Sequence, residues 1–276
     1  MSSRIGVVVA RTPVGISIRH NVEAITAALS TARSGDVVVT PEGSLSGYPV
    51  GDDQVAVRTP DADEVAAALD VLAVEASARR VCLFVGICGP HGRGGAWFND
   101  AVGLLSDGTS LRYRKVDLAT AERGRFGAGD DLPVFGLPAR RDEVTVGLQI
   151  CREVRFPEQW RLLAQRGAQL FLHLNHRLGT DPVGLATWRA MLIARAAENQ
   201  RFVASANAAS RDGGSPSIDA APDGSVLGES RPGTEDAVRV EADMGEVADW
   251  YLDQRRRDLV DLTPDGRRVE GEAPAP

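Results

Sequence analysis

The sequence predicts an α/β fold in a single domain, on three observations. Short, valine-rich apolar runs that read as buried strands alternate with segments whose apolar residues recur at helical spacing. Polar residues capable of chemistry, Glu42, Lys115 and Cys151, each stand at the end of a predicted strand, and in α/β folds ligands gather outside strand C-termini. The 276 residues, 43% hydrophobic and 25% charged, are enough for a substantial core and show neither an internal repeat nor a break in composition.

In chain order, the apolar run of 4–10 is the first strand. Asn21 is a candidate helix cap before Val22, Ile25 and Leu29, and Ser34-Gly35 ends that helix. Strand 36–40 leads into PEGSLSGYP, 41–49, whose first polar side chain is Glu42. A second helix starts near Asp61, with Glu64 three residues on as in a capping box, an apolar stripe of Val65, Leu69 and Leu72, and Arg79 and Arg80 suited to its C-terminal dipole. Strand 81–87, a glycine loop at 89–95 and strand 101–105 follow, and Asp107-Gly108 turns the chain into strand 111–114. Residues 116–142 have no period and many Gly and Pro, and a loop of that length is usually functional. Strand 144–150 delivers Cys151, and the alternation continues with helix 157–165, strand 169–174, helix 182–200 and strand 202–206. The stretch 211–233 is turn-rich, with short strands at Ser217-Ile218 and Val226-Leu227 around Asp223-Gly224, and 263–276 reads as a flexible tail beyond a domain of 1–262.

Charge and hydropathy exclude several functions. A net charge of -7 is opposite to what neutralising phosphates requires, so nucleic acid and anionic membranes are not expected partners. The longest apolar run, 81–88, is far short of the roughly 20 residues of a spanning helix, and the N-terminal run is shorter than a signal-peptide core of about 7–15 residues. With three cysteines and no CxxC spacing, the expectation is a reduced, cytoplasmic protein.

Lys115 is the only lysine among 31 basic residues. It is either a chance survivor of an arginine bias or a site that needs a compact ammonium and rejects a planar fork. Cys151 reads as a small buried hydrophobe, as Cys82 and Cys88 do, or as a nucleophile whose neighbours Arg152, Glu153 and Arg155 tune it. None of His20, His91, His173 and His176 stands in an obvious partner context for it, so another group must act as base. The HxxH pair His173 and His176 straddles a strand end and lacks a third ligand, so no metal is expected. No GxSxG, GxGxxG or phosphate-loop motif is present.

PEGSLSGYP around Glu42, LRYRKVDL around Lys115, GLQICREVRFPE around Cys151 and ARAAENQRFV together resemble the carbon–nitrogen hydrolase family, the nitrilase superfamily, over most of the chain. The resemblance implies an αββα sandwich and a cofactor-free hydrolase of a non-peptide C–N bond. In it Cys151 is the nucleophile, Glu42 the general base and Lys115 the electrostatic stabiliser. The backbone N–H of Arg152 shares the oxyanion, and Glu122 matches a second glutamate that orients the site. It also implies a homodimer or higher homo-oligomer and a small amide, nitrile or N-carbamoyl substrate, the short chain past the last motif favouring an amidase. The competing readings are a binding protein that kept the fold without turnover and a metal-dependent hydrolase. One departure stands beside the nucleophile: where the family pattern is C-[YW]-[DE], this chain has Arg152. Its side chain either meets an acidic substrate group or enters a salt bridge with Glu153 or Glu158, which sequence proximity favours.

Overall fold

A computed structural model describes residues 4–48, 60–90, 95–138, 143–210, 213–231 and 233–255. In chain order the elements are β1 (Arg4–Arg11), α1 (Ile18–Leu29), β2 (Val37–Val39), α2 (Ala62–Arg79), β3 (Cys82–Pro90), β4 (Trp97–Leu104) and β5 (Ser110–Arg114). There follow β6 (Phe126–Gly127), β7 (Val134–Leu137), β8 (Val144–Ile150), α3 (Pro157–Gln165), β9 (Leu170–Asn175), α4 (Pro182–Asn199) and β10 (Phe202–Asn207). The last are β11 (Ile218–Ala220), β12 (Val226–Glu229), β13 (Asp236–Asp243) and α5 (Trp250–Asp253).

The strands form two sheets. One runs β13-β1-β2-β3-β4-β5 with β6 beside β4, and the other β12-β11-β10-β9-β8-β7. In each, three central strands are parallel, β1-β2-β3 and β8-β9-β10, with antiparallel strands outside them. The two-residue period of a strand then assigns alternate side chains to different layers. Val7 and Val9 face the other sheet, where Leu148, Ile150, Leu172 and Leu174 meet them, while Val8 turns outward to Ile25, Leu29 and Leu72 of α1 and α2. On the second sheet Phe171 and Val203 turn outward to Trp160 and Trp188 of α3 and α4. This is an αββα sandwich, and burial on both faces is why its central strands read as unbroken apolar runs. Each such Val, Leu or Ile contributes about 1.5–3 kcal/mol by leaving water.

Several boundaries differ from the sequence reading. Ser17, not Asn21, caps α1. Asn21 lies one turn inside and donates to the carbonyls of Gly15 and Leu45 at 2.8 and 2.9 Å, so its amide ties the segment after β1 to the one that carries Glu42. The 116–142 loop contains β6 and β7, which pair through backbone with β4 and β8 and carry no side-chain period to announce them. β13 and α5 lie where no element was expected. Asp61 caps α2 as expected, accepting from the N–H groups of Asp63 and Glu64. The end of the domain at 262, the tail of 263–276, His91 and part of the glycine loop lie outside the described residues.

Candidate active site

Each candidate residue is aimed by the element before it. After β2, Thr40 donates through its backbone N–H and its hydroxyl to the Phe84 carbonyl at 3.0 and 2.9 Å, and Leu45 donates to the Gly86 carbonyl at 3.0 Å. The segment bearing Glu42 is thereby laid flat on β3. A Cβ at Gly86 would sit 2.4 Å from the Gly43 nitrogen and 2.5 Å from the Pro41 carbonyl, so only glycine admits this approach. Lys115 follows β5, and its backbone N–H donates to the Asn99 carbonyl at 2.9 Å, extending the β4–β5 ladder by one step. Cys151 follows β8 and opens a 3-10 turn, Cys151–Arg155, with φ of +51°. A non-glycine residue in that region costs of order 1–3 kcal/mol, and the sharp turn lifts the sulfur off the sheet end.

The structure brings the two sheets' strand ends together. Lys115 Nζ donates to Glu42 Oε1 and to Glu122 Oε1, both at 2.9 Å, with all three side chains fully buried. Asn99 Nδ2 donates to the same two oxygens at 2.7 Å each. Tyr48 donates to Glu122 Oε1 at 3.0 Å, and the Ala119 N–H donates to Glu122 Oε2 at 2.5 Å. Glu42 Oε2 has no hydrogen-bond partner. The half-buried Cys151 thiol lies against the Glu42 carboxylate and the backbone N–H of His176, close enough for both to act on its ionisation. Glu42, Lys115, Glu122 and Cys151, more than 100 residues apart at the extremes, thus form one cluster in which the other three act on the Lys115 charge.

Burial and charge set the protonation pattern. Burial pushes the Cys151 thiol up, the Glu42 charge pushes it further, and Lys115 only partly opposes them, so the thiol is protonated at neutral pH. Burial would also raise Glu42, but Lys115 and Asn99 overcome it and hold the carboxyl below its usual range. Burial alone would lower the Lys115 pKa, yet the Glu42 and Glu122 charges hold its proton more firmly than in water. The resting site is therefore thiol, carboxylate and ammonium. Its one unclaimed basic lone pair, Glu42 Oε2, belongs to the carboxylate that faces the thiol.

Sequence reasoning missed Asn99, Tyr48 and the histidines' places. His173 is fully buried, its Nε2 2.9 Å from the Cys151 carbonyl and its Nδ1 2.7 Å from Ser205 Oγ. A carbonyl only accepts, so Nε2 carries the proton, and burial pushes this imidazole down to about 4, leaving Nδ1 to accept from the hydroxyl. His173 thus holds the nucleophile's own peptide. His176 packs against Tyr48 with ring centroids 5.0 Å apart and the planes tilted by 34°, and burial lowers its pKa also. With both nitrogens of His173 engaged, the HxxH pair does not converge on one point, and among the described residues no cluster of three His, Cys, Asp or Glu could hold a metal.

Arg152 does not pair with Glu153 or Glu158. Its guanidinium donates to Thr120 Oγ1 at 3.5 Å, because the Glu153 carboxylate is buried and occupied by backbone donors. The backbone N–H of Arg152 is second in the 3-10 turn, where no intrahelical acceptor exists, beside the sulfur.

The model of the carbon–nitrogen hydrolase family matches residues 17–252. An (R)-stereoselective amidase of a Pseudomonas species is 33% identical over 258 residues, covering 88% of this chain and 89% of that protein. A human omega-amidase is 33% identical over 165 residues, 54% of this chain and 56% of that one. Among solved structures, an amidase of the nitrilase superfamily from Nesterenkonia AN1 superposes with a TM-score of 0.74 at 28% identity, covering 93% of this chain and 95% of that one. A variant of the amidase from Nesterenkonia sp. AN1, with a TM-score of 0.72 at 26% identity over 93% of this chain and 95% of that one, carries the acetamide moiety of fluoroacetamide covalently on its active-site cysteine. Among the described residues no helix is long and apolar enough to cross a membrane.

Proposed function

Because the chain belongs to the carbon–nitrogen hydrolase family and is an amidase-like enzyme acting on non-peptide C–N bonds, we propose that it hydrolyses a small amide through a thioester on Cys151. Glu42 moves the protons, Lys115 and the Arg152 N–H hold the developing oxyanion, and Glu122 fixes Lys115. The observation that carries this reading is the shared ammonium: one Nζ donates at 2.9 Å to both Glu42 and Glu122, and the Glu42 carboxylate lies against the Cys151 thiol.

The protonation pattern dictates the order of events. Since the thiol holds its proton and Glu42 does not, a resting thiolate is disfavoured, and attack is coupled to transfer of the thiol proton to Glu42. The sulfur bonds to the amide carbon and the carbonyl electrons move to oxygen, which Lys115 and the Arg152 N–H stabilise. One such donor is worth roughly 10²–10³ in rate. The oxyanion then re-forms the carbonyl, the C–N bond breaks, and Glu42 returns its proton to the departing nitrogen. Water replaces the amine, gives a proton to Glu42 and attacks the thioester, and collapse releases the acid and restores the thiol.

The relatives named as amidases support an amide over a nitrile or N-carbamoyl substrate. The test is ammonia release across a panel of small amides, nitriles and N-carbamoyl compounds. Turnover of an amide that disappears in both Cys151→Ala and Glu42→Gln is the expected result, and an amidase activity that survives Cys151→Ala overturns the reading. Homo-oligomeric assembly and a cytoplasmic location belong to the same proposal, checked by light scattering and by cell fractionation.

A further inference from the structure

Glu153 has no part in the proton transfers above, yet its carboxylate accepts four hydrogen bonds beside them. It is fully buried, and its Oε1 accepts from the Val116 N–H at 2.8 Å, the Asp117 N–H at 3.1 Å and the Tyr113 hydroxyl at 2.8 Å. Its Oε2 accepts from the Ile150 N–H at 2.6 Å. Val116 and Asp117 are the peptides immediately after Lys115, and Ile150 is the peptide immediately before Cys151. The residue's own carbonyl is held in turn by Trp160 Nε1 at 2.9 Å. One carboxylate therefore fastens the exit of β5, in the first sheet, to the exit of β8, in the second. The four groups on it all donate, and an ionised carboxylate, with about four lone-pair sites and no proton, matches them all.

From this arrangement we propose that Glu153 is a positioning residue that sets the distance and angle between the Lys115 ammonium and the Cys151 sulfur. The inference rests on the thioester reading given above. Lys115 sits in one sheet and Cys151 in the other, and among the described residues no other side chain is hydrogen-bonded to peptides directly adjoining both. A misplacement of about 1 Å between reacting groups costs on the order of 10²-fold in rate. Substrate contacts away from the Lys115 and Cys151 pair are untouched by such a shift, so the loss falls on kcat.

Steady-state kinetics of three variants on the best amide of the panel test this. Glu153→Gln keeps the shape but turns an NH₂ toward one set of N–H donors. Glu153→Asp keeps the charge but is one methylene too short to reach both. Tyr113→Phe removes the one side-chain donor to Oε1 and so loosens the carboxylate that holds both peptides. The expected result is a kcat about 10–100-fold lower in both Glu153 variants with KM within about twofold, and a kcat about 3–10-fold lower in Tyr113→Phe. A role in folding alone would lower the amount of active enzyme, so kcat is taken per active site by titrating Cys151 with iodoacetamide. Wild-type kcat in Glu153→Gln, full rescue by Glu153→Asp, or a loss appearing in KM overturns the proposal. Should neither Glu153 variant fold, Tyr113→Phe decides: an unchanged kcat refutes the brace. Cys151→Ala separates the two claims, because turnover surviving it sinks the thioester reading, whereas its inactivity beside a fully active Glu153→Gln sinks only the brace.

Discussion

Replacing Lys115 separates charge from shape. Lys115 Nζ is 2.9 Å from both Glu42 Oε1 and Glu122 Oε1, and Asn99 Nδ2 is 2.7 Å from the same two oxygens, so the carboxylates are close neighbours. Two unit charges about 5 Å apart at an effective dielectric near 20 repel by about 3 kcal/mol. Lys115→Met exposes that repulsion, in line with the roughly 3–5 kcal/mol lost when one partner of a buried pair is removed. At about 2–4 °C per kcal/mol, its midpoint falls by about 6–20 °C. Lys115→Arg keeps the charge and loses less stability, but a planar fork cannot place a single donor where the Glu42 and Glu122 oxygens converge. Its kcat falls by about 10²–10³, the value of one oxyanion donor. Thermal unfolding and ammonia release measure the two effects on the same preparations. Lys115→Arg turning over within about tenfold of the parent, against the 10²–10³ expected, or Lys115→Met unfolding at the parent temperature, refutes the reasoning.

Asn99→Ala removes two hydrogen bonds to carboxylates worth about 1.5–3 kcal/mol each. It lets Glu42 rise toward its usual range, so the acid limb of kcat/KM moves to higher pH; an unmoved limb contradicts this. Glu153 is raised to about 7 by burial, against the Ile150 N–H, the Lys115 charge, the Asp117 N–H and the Tyr113 hydroxyl. Its contribution to stability is then fully present below the ordinary carboxylate value of about 4.3 and is lost as pH climbs through about 7. Turnover, which needs the ionised brace, rises over that same interval, and the opposed trends vanish in Glu153→Gln if pH-resolved calorimetry and kinetics are compared. Asp219 is buried with Oδ2 lacking a partner, and burial raises its pKa well above the usual range. Asp219→Asn therefore stabilises the protein above neutrality by about 1–3 kcal/mol, the cost of an unmatched buried group, and a lower midpoint at pH 8 speaks against it.

What the sequence revealed and what it hid divide along a physical line. Glu42, Lys115 and Cys151 are visible because each stands at the end of a segment that reads as a strand, Glu42 and Cys151 after apolar runs and Lys115 after the hairpin strand LRYR. Strands buried on both faces announce themselves by composition, as 37–39 and 170–175 do. Asn99 gave no such signal. Its place beside Lys115 is set by the antiparallel register of β4 and β5, which pairs Asp100 with Arg114, and nothing local encodes that register. β13 was overlooked although Val238, Val240 and Ala242 alternate with charged residues, the pattern of an edge strand with one wet face. The chemistry of Asn21 suits a helix cap, but its amide instead spans two loops whose meeting is a tertiary fact. Glu153 drew attention as a charge near the sulfur, but its depth and its four donors depend on the meeting of two sheets.

The most direct examination of the whole account is mass spectrometry of the protein quenched during turnover of its best amide. The account predicts a mass increase equal to the substrate less ammonia, confined to the peptide containing Cys151 and absent from Cys151→Ala. An adduct on Cys82 or Cys88 instead, or steady turnover with no acyl group on any cysteine, contradicts it.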